Sequence, residues 1–88
     1  MLDLNVIREQ IDGIDKQLVD LFEQRMELTK EVAEYKIQTG KKVLDTQRER
    51  AKIEAVTKLV KNEANVHAID DLFSQIMANS RKGQVSAS

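Results

Sequence analysis

Arg25 stands where an apolar residue is due. From Leu4 the apolar positions run Leu4, Ile7, Ile11, Ile14, Leu18, Leu21, then Leu28, Val32 and Tyr35, at alternating spacings of three and four. That is the heptad a/d pattern of a helix that buries one seam, and Arg25 interrupts it. Lys36 follows eleven positions later, which puts it within about 20° of Arg25 around a helix that turns ~100° per residue. Glu49 stands one step before Ile53, Val56 and Val60 and extends their stripe. Arg48 falls in the first turn of the same segment, where the helix dipole disfavours a cation. Ser80 and then Gln84 continue the row Ile69, Phe73, Ile76. Arg8 neighbours Ile7 at the flank of the first seam.

Each of these residues has an ordinary structural reading. A seam arginine sets register or snorkels to water. Lys36 near a helix C-terminus is favoured by the dipole. Arg8 suits a surface ion pair, and Arg48 can pair with Asp45 or Glu49. Glu49 is equally the acid of a capping box with Thr46, and Ser80 and Gln84 fit a fraying helix end. The set is harder to dismiss. Four cations (Arg8, Arg25, Lys36, Arg48), one carboxylate and two neutral polar groups converge on the ends of apolar stripes. Buried charge needs a partner, and the nearby acids are too few. A small anionic ligand would supply the balance, and a dicarboxylate fits because arginine grips carboxylates bidentately. There is no nucleophile–base pair, no metal-binding cluster and no glycine-rich phosphate loop in the sequence. Chemistry at such a site works by positioning and electrostatics.

The elements that must position these residues are helices. The 88 residues hold no Pro, no Cys and three Gly, too little turn chemistry for an all-β domain. The missing Cys excludes a disulfide scaffold and a Cys-based zinc site. Charged residues make up 33% and nearly cancel to −1, which excludes a strongly basic nucleic-acid module. Phe22, Tyr35 and Phe73 are too few for a base-stacking platform. No apolar run approaches the ~18 residues of a membrane span. The opening residues lack the marks of a secretory signal, so the expected compartment is the cytoplasm.

A first helix is predicted from roughly Leu4 to Thr39, with Asp3 or Asn5 as N-cap and Gly40 as the stop. Gly13 lies on its polar side and weakens it by about 1 kcal/mol. A second helix is predicted from about Gln47 to Glu63, capped by Thr46 or Asp45 and burying Ile53, Val56, Leu59 and Val60. A third starts near Val66 and carries Ile69, Leu72, Phe73, Ile76 and Met77. Phe22, Met26, Phe73 and Met77 are core candidates, and His67 is a surface residue with no second metal ligand at a suitable spacing. Gly83 and the polar residues to Ser88 read as a fraying end or linker, so the domain is placed at 1–84 and a tail at 85–88. The first helix would be ~54 Å long, whereas a compact domain of this size has a radius of gyration near ~12 Å. The long helix must overhang, and a second copy is the simplest cover. The expectation is an all-α homodimer with the shorter helices wrapping across the partner.

The stretch Ile7-Arg8-Glu9-Gln10-Ile11-Asp12-Gly13-Ile14-Asp15, with Leu18, Leu21 and Arg25 after it, resembles the opening of the all-helical (AroQ-type) chorismate mutases. Lys36, the run Val43-Leu44-Asp45 to Arg48-Glu49-Arg50, and Leu72-Phe73 to Ser80 match in order and spacing. The resemblance covers about Leu4 to Gln84. It implies an intertwined homodimer with two active sites that converts chorismate to prephenate in phenylalanine and tyrosine biosynthesis, without a cofactor. It implies that Arg25 and Arg8 bind the substrate carboxylates, with Arg8 supplied by the other subunit. Lys36 would contact a carboxylate and the breaking ether oxygen, and Gln84 would donate to that oxygen. Glu49 and the backbone at Asp45 would hold the ring hydroxyl with Arg48 close by, and Ser80 would support a carboxylate. The family occurs both free-standing and fused to other enzymes of the aromatic pathway. The rival class is a non-catalytic helical dimerisation or regulatory module, which explains the heptads but not Arg25, Lys36, Ser80 and Gln84.

Overall fold

The computed structural model describes every residue except Val43 and Ser88, and residues 84–87 by their backbone alone. Three α-helices follow in order: α1 (Leu4–Thr39), α2 (Thr46–Lys58) and α3 (Val66–Ala87), with one 3-10 turn at Glu63–Asn65 before α3. No strand occurs among the described residues, so the fold is all-α. None of these helices is long and apolar enough to cross a membrane.

Local chemistry sets the ends of α1. The Asp3 carboxylate accepts from the Asn5 and Val6 N–H groups, 2.9 and 3.5 Å away, so Asp3 rather than Asn5 is the cap. At the other end Gly40 takes φ 73°, and the N–H groups of Gly40 and Lys41 both donate to the Lys36 carbonyl. This left-handed closure is open to glycine without the Cβ penalty.

Asp45 wins over Thr46 as the cap of α2: its carboxylate accepts from the Arg48 N–H at 3.0 Å. The far end of α2 departs from the sequence expectation. The helix stops at Lys58 rather than Glu63. The Leu59 and Val60 N–H groups donate three residues back, to Val56 and Thr57, which tightens and closes the last turn. Asn62 then turns its side chain on its own neighbourhood and accepts from the Ala64 N–H at 3.1 Å. Such a local side-chain bond competes with helix continuation. Leu59, expected inside, is consequently 77% exposed. Gly83 does not interrupt α3, whose backbone stays helical to Ala87.

The core is thin. Ala33, Val56 and Met77 are buried, and Ile53, Val60, Ile69, Phe73 and Ile76 are half-buried around them. α3 packs against both α1 and α2. Of the core candidates, Phe22 proves exposed and Met26 half-buried; His67 lies on the surface as expected. Every residue from Arg8 to Gln24 is exposed, including the seam residues Ile11, Ile14, Leu18 and Leu21. The chain measures 59 × 25 × 15 Å with a radius of gyration of 16.4 Å, against about 12 Å for a compact domain of its length.

Candidate active site

The three helices line a cleft of about 130 Å³ that opens to solvent. α1 contributes Arg25, Thr29, Val32 and Lys36 at helical spacing. The first turns of α2 contribute Asp45, Arg48, Glu49 and Lys52, and α3 contributes Met77, Ser80 and Arg81. The interruption of the α1 seam is thus the floor of a polar cavity rather than a defect in a core.

The anchoring bond runs between α1 and α3. Arg25 Nη1 donates to Ser80 Oγ at 2.7 Å, and Ser80 Oγ donates to the Ile76 carbonyl at 2.9 Å. A serine hydroxyl has one hydrogen and two acceptor positions. With its hydrogen spent on Ile76, Ser80 acts as an acceptor that orients the guanidinium. Ser80 is only 5% exposed, whereas Arg25 is half-buried and reaches the cleft. On the opposite wall Arg81 Nη1 donates to Glu49 Oε1 in an ion pair between α3 and α2. Asp45 is engaged in capping α2, as described above. The cleft therefore holds five cationic side chains and two carboxylates. One of those carboxylates is matched to Arg81 and the other sits on the α2 N-terminus. The surplus is positive, and anions are drawn to a positively lined concavity.

Arg25, Lys36, Asp45, Arg48, Glu49 and Ser80, all picked out in the sequence, line this cleft. Arg8 does not. It is exposed on the bare part of α1, seventeen residues before Arg25, roughly 25 Å away along a helix rising 1.5 Å per residue. The Gln84 backbone belongs to α3, and its side chain lies outside the described residues, as does Val43. Sequence reasoning missed Thr29, Lys52 and Arg81. Their signals were present: Thr29 is one turn after Arg25, Lys52 lies on the face of Arg48 and Glu49, and Arg81 continues the row Phe73, Met77 at spacing four. Among the described residues no cluster of His, Cys, Asp and Glu could hold a metal ion.

One protein family, chorismate mutase type II, matches residues 7–85. The bifunctional chorismate mutase/prephenate dehydratase of Buchnera aphidicola subsp. Schizaphis graminum is 37% identical over 79 residues, which is 89% of this chain and 20% of that protein. The T-protein of Haemophilus influenzae is 33% identical over 79 residues, 88% of this chain and 21% of its own length. A chorismate mutase of Methanocaldococcus jannaschii is 37% identical over 65 residues, 74% of this chain and 62% of its own. The chain thus spans about a fifth of the bifunctional enzyme and of the T-protein. No solved structure matches it significantly.

Proposed function

From the premise that the chain belongs to the chorismate mutase type II family, we propose that the cleft binds chorismate and rearranges it to prephenate. The observation that carries this reading is the convergence of Arg25, Lys36, Glu49 and Ser80, from three separate helices, on one cationic cleft. The reaction is a unimolecular [3,3] shift: the ether C–O bond breaks while a C–C bond forms. No proton, electron or leaving group is exchanged, so the protein needs neither a nucleophile nor a cofactor. Its task is to hold the substrate in the compact chair-like conformer and to stabilise negative charge growing on the ether oxygen.

Arg25, already aimed by Ser80, is suited to bind one carboxylate bidentately. Lys36, about three turns along the same face, is placed to meet a carboxylate and the ether oxygen together. Glu49 and the Asp45 backbone at the start of α2 would take the ring hydroxyl, with Arg48 close by. Gln84 is the proposed donor to the ether oxygen from the α3 end.

The working unit in this reading is a two-fold homodimer in which the partner supplies Arg8. Two observations support it. The bare part of α1 exposes Ile11, Ile14, Leu18 and Leu21 on one seam, and covering each of these half-exposed side chains would contribute about 1 kcal/mol. Arg8 also lies too far along α1 to reach its own chain's cleft. Where the chain is part of a longer protein, as in the relatives that join a mutase to a dehydratase, the same site would serve one half of a two-step sequence.

The test follows the fall in chorismate absorbance on adding purified protein. Acceleration over buffer is the expected result. A folded helical dimer that leaves the buffer rate unchanged would favour the dimerisation-module reading, for which the uncovered seam is the supporting observation.

A further inference from the structure

Ser80 and Arg81 are consecutive residues of α3, and each ties down a cleft residue of a different helix. Ser80 holds Arg25 of α1, and Arg81 holds Glu49 of α2. The second tie is an ion pair whose side chains are 35% and 27% exposed, so as a plain surface bridge it would contribute little to stability. Its position is more informative. Glu49, Met77 and Arg81 line the cleft on one side and a neighbouring cavity, bounded by Arg50 and Ile53, on the other. The pair is part of the partition between the two spaces.

Glu49 also sits among competing cations. Arg48, Arg50 and Lys52 flank it on α2, and Arg25 and Lys36 face the same cleft. An untethered glutamate there would have more than one cation to choose between, and the neighbouring cavity open beside it. An arginine from α3 selects one position by engaging Oε1, and the second carboxylate oxygen remains an acceptor to which a ring hydroxyl can donate.

We infer that Arg81 is a positioning residue: its ion pair with Glu49 holds that carboxylate as the acceptor for the substrate's ring hydroxyl. This rests on the chorismate mutase reading above. Through Ser80 and Arg81, α3 then orients the group for a substrate carboxylate and the group for the hydroxyl at once. Arg81 acts through Glu49 and does not touch the substrate.

The experiment compares Arg81→Leu, Arg81→Lys, Glu49→Gln and the double variant Arg81→Leu/Glu49→Gln in the intact chain. Each is assayed with chorismate and with its analogue carrying a methylated ring hydroxyl, which cannot donate. With chorismate, Arg81→Leu should lose about tenfold in kcat/KM, the scale of a misplaced contact, and Arg81→Lys should recover part of that. The double variant should be no worse than Glu49→Gln alone, because the two residues act as one unit. With the methylated analogue, Arg81→Leu and the unsubstituted protein should agree within about twofold. Losses that multiply in the double variant would overturn the inference, as would an equal loss on both substrates, which would make Arg81 a direct ligand or a structural prop. Should Arg81→Leu lose its helical circular dichroism, the comparison of Arg81→Lys with Glu49→Gln on the two substrates decides by the same criteria. Unsubstituted protein that is folded yet leaves chorismate unchanged refutes the functional reading and this inference together. Activity with multiplicative losses refutes the inference alone.

Discussion

The two halves of α1 share one heptad rhythm and differ in what stands beside them. From Arg25 onward the helix has α3 beside it, with Ala33 buried and Arg25, Met26, Thr29 and Lys36 half-buried, while its seam residues Leu28, Val32 and Tyr35 stay exposed. From Arg8 to Gln24 every residue is exposed, although the apolar spacing is the same. The packed half, so called for its contact with α3, is interrupted by charge and lines the cleft, whereas the seam of the bare half is uninterrupted. A seam that is regular but uncovered is the surface that the proposed dimer would bury. A seam broken by a cation beside α3 is, in the proposed reading, packing given up for chemistry. The proposed dimer joins the two roles, since the bare half would deliver Arg8 to the packed half of its partner.

The most disruptive test of that contrast introduces charge into the bare seam. Ile14→Asp with Leu18→Asp should leave a chain that sediments as a monomer, with no measurable mutase activity and a collapsed thermal transition. Two buried, unpaired carboxylates are incompatible with an interface. A dimer persisting in analytical ultracentrifugation would show that this half is not covered by a second copy.

In the packed half, Arg25→Ala should leave assembly intact and remove about 3–4 kcal/mol of transition-state stabilisation, read as the change in kcat/KM. Its thermal midpoint should hold level or rise, because a half-buried charge has left the seam. A large fall in melting temperature with activity retained would assign Arg25 to the fold instead.

Co-expression of Arg8→Ala and Arg25→Ala chains addresses the link between the halves. Each homodimer should be inactive. Random pairing makes about half the dimers mixed, and each mixed dimer places both lesions in one site and leaves the other whole. About a quarter of the activity should return, by the symmetry of a two-fold dimer. Confirmed heterodimers without activity would place Arg8 and Arg25 in the same chain's site.

The smallest effects come from two glycines. A Cβ on Gly13, in the bare half, meets nothing within 4 Å, whereas one on Gly83 comes within 3.1 Å of the Met26 Cε. Gly13→Ala should therefore stabilise by about 0.5–1 kcal/mol in thermal melts, the helix-propensity gain. Gly83→Ala should gain less, because the end of the Met26 side chain must move aside. A destabilising Gly13→Ala would locate the partner helix against that position.

The helices were legible in the sequence to the extent that short-range chemistry sets them. Asp3 and Gly40 bound α1 at the predicted residues, because a capping carboxylate and a left-handed glycine act within one turn. The end of α2 was misread because Ile53, Val56 and Val60 suggested a stripe running on, while Asn62 closed a local bond that the apolar pattern does not report. The site residues on seams were legible for a related reason. Arg25, Glu49 and Ser80 each sit where periodicity demands an apolar side chain, and Lys36 shares the face of Arg25, so the helical period by itself implies that they lie on one inward side.

What each polar residue holds was decided only by packing. Arg81 sits next to Ser80 in the chain, yet it reaches α2 while Ser80 reaches α1. That difference of about 100° around α3 becomes a choice of partner only once α3 lies between the other two helices. The hydroxyl of Ser80 turned out to orient Arg25 because its hydrogen goes to Ile76, a matter of local geometry inside a formed helix. Composition and spacing determined the helices, their apolar faces and the residues that break those faces, all of which depend on neighbours within a turn or two. The cleft, its two cross-helix ties and the distance of Arg8 from it depend on how helices remote in sequence are set against one another.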